Sequence, residues 1–116
     1  MHVLDNSFKA KDRCKEICRL EQAYDLDEER RDRLVAEIDS AVAAILSQVS
    51  RLRLLAPKHV IDTSLALGDA NLRFRVAVTD EPNSVVVLDD TLHRARIRDS
   101  RDRVIAAAKR FMQIPQ

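Results

Sequence analysis

The sequence predicts an all-α protein: an antiparallel bundle of three or four helices joined by short connections. Three observations predict it. Chain breakers are scarce, with one glycine, Gly68, and three prolines, Pro57, Pro82 and Pro115, in 116 residues. An all-β domain of this size needs far more turn residues, so the elements are few and long. Apolar residues make up 46% of the chain but aromatic residues only 3%, so Ala, Leu, Val and Ile must fill the core. These aliphatic residues recur three, four and seven positions apart over stretches too long for strands. The length suits one domain spanning residues 1–116. Such a chain buries roughly two-thirds of its unfolded surface and needs no metal or disulfide to fold.

The first element predicted is a helix from about Ser7 to Tyr24. Asp25 followed by Glu28 has the spacing of a capping box and would separate it from the next helix. Without that break the two would join. The second helix, from about Leu26 to Leu55, is the clearest. Leu34, Ile38, Ala41, Ile45, Val49 and Leu52 form its stripe, widened by Val35, Val42 and Leu46. Asp27, Glu28 and Glu29 suit a first turn, where the helix dipole favours acids.

Pro57 marks the next start. The third helix runs from about Lys58 to Thr79, with Ile61, Leu65, Gly68, Leu72 and Val76 as its stripe. Gly68 inside that stripe costs about 1 kcal/mol against alanine, so close approach of a neighbouring backbone is the expected reason for it. Residues 80–84 read as a turn, with Asn83 or Ser84 capping a last helix from about Val85 to Gln113. A minor alternative is α+β. Leu72–Val78 alternates like a strand and Val85–Leu88 is β-branched, so a hairpin at about 72–88 competes locally. An isolated two-stranded hairpin is weak.

Composition narrows the function. The formal net charge is +1, so no global field points to nucleic acid or membrane. No apolar run reaches the ~18 residues that a membrane span requires, and the N-terminus lacks a signal-peptide pattern. The expectation is a cytoplasmic protein without membrane insertion. A chain with one glycine is a poor source of phosphate-cradling loops, and no metalloprotease or nucleophile-elbow motif is present. No cofactor is implied.

Cys14 and Cys18 share a helical face but supply only half a metal site, so they read as small core hydrophobes. His93 lies three residues after Asp90, a spacing that suits a partly buried polar pair.

The last helix carries the least ordinary pattern. Arg94, Arg96, Arg98, Arg101, Arg103, Lys109 and Arg110 face only Asp99 and Asp102 between positions 93 and 110. The arginines Arg94, Arg96, Arg98, Arg101, Arg103 and Arg110 are candidate contacts to a partner or to phosphate. Ile97, Val104 and Phe111 fall seven apart, with Val86 and His93 beside them, and form a candidate oligomer face. The expected function is a non-catalytic protein–protein interaction or assembly module that binds itself, as a homodimer, or another protein. The alternative is a nucleic-acid-binding accessory protein that uses the arginine-rich last helix.

Overall fold

The computed structural model describes residues 2–23, 25–80 and 90–112. Four helices cover most of them: α1 (His2–Gln22), α2 (Glu28–Leu52), α3 (Lys58–Asp80) and α4 (Thr91–Met112). No strand occurs among the described residues. The fold is an all-α bundle.

Helix α1 starts five residues before the expected Ser7, because Val3 and Ser7 are both buried and the amphipathic row extends to the first turn. Helices α1 and α2 are separate. The α2 cap is Asp27, with φ −84° and ψ 164°. Its carboxylate accepts from the Arg30 N–H at 2.7 Å, satisfying one of the free donors of the first turn. The expected Asp25–Glu28 box therefore yields to a cap two residues later. At the far end of α2, the Ala56 N–H donates to the Leu52 carbonyl at 2.7 Å, and Pro57 follows. The Pro57 carbonyl then accepts from Val60 at 3.0 Å and starts α3.

The ion pairs show the topology. Arg13 meets Glu37 while Glu16 meets Arg30, so α1 and α2 run antiparallel. Arg75 meets Asp39 while the Arg31 guanidinium donates to the Thr79 carbonyl, so α2 and α3 do too. Phe74 of α3 stacks on His93 of α4. Helix α3 packs against all three others, whereas α2 and α4 barely meet and α1 touches α4 sparsely.

Two sequence expectations for α3 need correction. Leu72–Val78 is helix, which removes the first strand of the hairpin; its second strand, 85–88, lies outside the described residues. The alternation has a helical explanation. Phe74 and Val78 point into the core, while Arg73 and Arg75 flank Phe74 and reach Asp69 and Asp39. The buried row is also not the expected one. It is Val60, Ser64, Leu67, Asn71, Phe74 and Val78. The row Ile61, Leu65, Gly68, Leu72 and Val76 lies beside it and turns partly outward.

Gly68 has a packing reason. A Cβ there would lie 3.3 Å from Ile45 Cγ2 and 3.7 Å from Leu46 Cδ2. The close approach is made by side chains of α2, not by its backbone. Ile45 is fully buried, and its γ2 methyl sits close to the backbone, so it yields little. Gly68→Leu is expected to lower stability by about 1–3 kcal/mol through overpacking. Gly68→Ala should change it by less than about 1 kcal/mol, because helix propensity offsets the contact. Urea unfolding followed by circular dichroism measures both; an unchanged midpoint for Gly68→Leu would exclude the contact.

Candidate functional site

Helix α4 divides into a buried stripe and two basic flanks. Ile97 and Val104 have no exposure and belong to the core of a single chain. The centre of the candidate oligomer face, Ile97 and Val104, packs within the chain. Of the rest, Phe111 is exposed, His93 is half-buried, and Val86 lies outside the described residues. A heptad-like row identifies a buried face but not whether its cover comes from the same chain.

The arginines separate by helical spacing. Arg96, Arg103 and Arg110 are seven apart and share one flank. Arg96 and Arg103 rim a groove of about 460 Å³ between α3 and α4, floored by Ala66, Ala70 and Ala95. Asp69, Arg73 and Asp99 share that rim. Arg94, Arg98 and Arg101 occupy the flank toward α1. Arg94 donates to Asp90 at 2.9 Å, and Arg98 lies 3.6 Å from Asp99. Arg101 lies over the Phe8 ring of α1. The arginines of α4 therefore form two basic flanks on opposite sides of one helix.

His93 does not pair with Asp90, whose carboxylate is taken by Arg94. Its ring stacks on Phe74, with centroids 5.4 Å apart and planes 9° from parallel. Nδ1 is buried without a partner among the described residues. Burial, and then the Arg96 charge, hold its pKa below the ordinary 6.5; Asp90 acts against them. His93 is thus a packing residue that resists protonation.

Cys14 and Cys18 are free and buried. Burial dominates both thiols, pushing Cys14 far above the usual range and Cys18 up to about 12. Neither is a nucleophile at neutral pH. Among the described residues no three His, Cys, Asp or Glu side chains gather as metal ligands. No helix there is long and apolar enough to cross a membrane.

Sequence periodicity missed one surface. Leu46 of α2 and Leu72 and Val76 of α3 are 46%, 43% and 42% exposed. Leu46 sits against Gly68, one turn from Leu72, so the three form an apolar ridge along the α2–α3 seam. The sequence signal for it is Leu72 and Val76, four residues apart, in the row that periodicity assigns to the core.

Two outcomes follow from the shifted groups. The folded pKa of His93 lies below its unfolded value, so the folded state binds fewer protons. The associated stability is complete above the ordinary pKa and is lost as pH falls through the folded one. Between about pH 8 and pH 5 the wild type should lose more stability than His93→Gln. Parallel pH–stability curves in thermal unfolding would contradict this. Native protein at neutral pH should react slowly with a disulfide reagent at both cysteines, and at once after denaturation; rapid native labelling would place a thiol at the surface.

No family model, no curated protein and no solved structure matches this chain.

Proposed function

We propose that the protein is a non-catalytic helical assembly module that pairs with a second copy of itself through the α2–α3 ridge. The observation that carries this is the outward row of α3. Leu72 and Val76, with Leu46 beside Gly68, keep large aliphatic surface in water although the core is complete. A shallow apolar groove of about 300 Å³ adjoins them, lined by Leu72, Val76, Ala77 and the Arg73 stem.

The charges beside the ridge favour a copy of the same surface. Asp69 and Arg73 form an i,i+4 pair at 2.8 Å. A two-fold axis near position 71 sets each Asp69 opposite the other chain's Arg73, so like charges do not meet. Arg75 and Asp39, on the α2 side, already neutralise each other in a forked pair. An isologous interface needs this kind of self-complementarity: apolar residues near the axis and opposite charges exchanged around it.

Sedimentation velocity over a wide concentration range tests the proposal. Wild-type protein should sediment as a dimer. The double variant Leu72→Glu, Val76→Glu should be monomeric with unchanged helical circular dichroism, its dissociation constant raised at least about tenfold. Met112→Glu, exposed at the far end of α4, should remain dimeric. A monomeric wild type, or a double variant that still dimerises, would refute the assignment and turn the search to a different protein partner.

A further inference from the structure

The seam between α1 and α4 holds a second, chemically different surface. Phe8, Lys11 and Lys15 are spaced at i, i+3 and i+7 on α1 and share one face. Arg94 and Arg101, seven apart on α4, line the opposite side of the seam. The Lys11 ammonium lies 4.8 Å from the Phe8 ring centroid and the Arg101 guanidinium 5.6 Å from it. One half-exposed ring therefore collects two cations from two helices. Lys15 and Arg94 continue the cluster into an open groove of about 440 Å³ between the helices.

Acids do not balance this cluster. Asp12, Glu16 and Asp90 border the groove, but each is engaged: Asp12 with Arg13, Glu16 with Arg30 and Asp90 with Arg94. Lys11, Lys15 and Arg101 have no acidic partner among the described residues. Arg101 Nε is buried and has no hydrogen-bond partner there. The Lys11 ammonium is held below its ordinary 10.5 by burial first, then by Arg101 and Lys15, with Arg94 adding and only Asp12 opposing. Partly desolvated like charges that lack a counter-charge are costly in a purely structural role. An oxyanion between them removes the repulsion and supplies the missing acceptor.

The geometry points to a phosphate-binding site at the α1–α4 seam, in which Lys11 and Arg101 hold the phosphate and Lys15 extends its positive field. Phosphate suits the arrangement better than a single carboxylate. It offers acceptors in several directions and carries enough charge to engage cations from both helices. Phe8 fixes the two cations by cation–π contact, which lowers the entropy lost on binding. The phosphate can come from a small phosphorylated compound or from a nucleic-acid backbone.

Thermal unfolding in sodium pyrophosphate against sodium chloride at equal ionic strength tests the site. Wild-type protein should gain a saturable increase in Tm from pyrophosphate alone. Lys11→Gln and Arg101→Gln should lose that increase, whatever their own Tm. Arg103→Gln, on the opposite flank, should keep it. A labelled single-stranded oligonucleotide identifies the source. Binding that pyrophosphate competes away and that Lys11→Gln weakens about tenfold assigns the site to a nucleic-acid backbone. Oligonucleotide binding unaffected by Lys11→Gln, or none, beside an intact pyrophosphate shift assigns it to a small phosphate compound. No pyrophosphate shift beyond matched chloride would overturn the site. So would an equal loss in Arg103→Gln, which would reduce the effect to general charge screening.

Discussion

The bundle depends on one constraint: α3 must pack against three helices at once. Helices α2 and α4 barely meet, so α3 is what joins the α1–α2 hairpin to α4. A helix with neighbours on three sides cannot carry large side chains around its whole buried arc, because interaxial distances of about 8–10 Å leave no room. Its inner surface instead mixes Leu67, Phe74 and Val78 with Ser64, Ala70 and Asn71. Asn71 meets Ser7 of α1, while Ala70 lines the groove toward α4 and Phe74 meets His93 there.

Polar atoms in that layer set the register. The Asn71 side-chain amide donates to Ser7 Oγ at 2.8 Å and to the Leu67 carbonyl at 2.9 Å. Both Asn71 and Ser7 are buried. Sliding α1 by one turn, about 5.4 Å, would break the bond between them, leaving Ser7 Oγ without its partner and Asn71 with only the Leu67 carbonyl. That costs about 1–3 kcal/mol per group, whereas sliding one aliphatic row past another costs much less specificity. The outer ion pairs agree with this register: Arg13–Glu37 and Glu16–Arg30 fix α1 on α2, and Arg75–Asp39 fixes α2 on α3. These pairs are partly exposed, so they select the arrangement more than they stabilise it.

The same constraint explains what could be read from the sequence. Helix α2 was legible in face and to within two or three residues in extent, because Leu34, Ile38, Ala41, Ile45 and Val49 are both its apolar row and its buried row. Helix α3 was legible in extent but not in face. Apolar periodicity follows Leu65, Leu72 and Val76, while the true inner row contains Ser64 and Asn71, which count as polar in any such pattern. The α2 cap was misplaced by two residues because Asp25, Asp27 and Glu28 crowd one turn, and only backbone geometry selects Asp27. On α4 the buried stripe through Ile97 and Val104 was legible, but not what covers it. The basic residues of α4 were visible as a group. Their division into two flanks, and the lysines of α1 that join one of them, emerged only when α1 and α4 came side by side.

The two surfaces trace back to this shared origin. The inner row of α3 mixes polar and small residues with Leu67, Phe74 and Val78, and further aliphatic residues fall on the outer row, where Leu72 and Val76 meet Leu46. Because α3 holds α4 in place, α1 and α4 need little contact of their own, and their facing side chains are free to be cations. The ridge lies on the α2–α3 side and the seam on the α1–α4 side. In the proposed pairing, a second copy seated on the ridge therefore covers neither Lys11 nor Arg101. A two-fold dimer would present two basic seams facing away from its axis. Two such seams on one particle can engage one polymer at two points, which raises avidity without any new contact. Losing the ridge would then weaken binding to a polymeric phosphate more than binding to pyrophosphate, because only the polymer can span both seams.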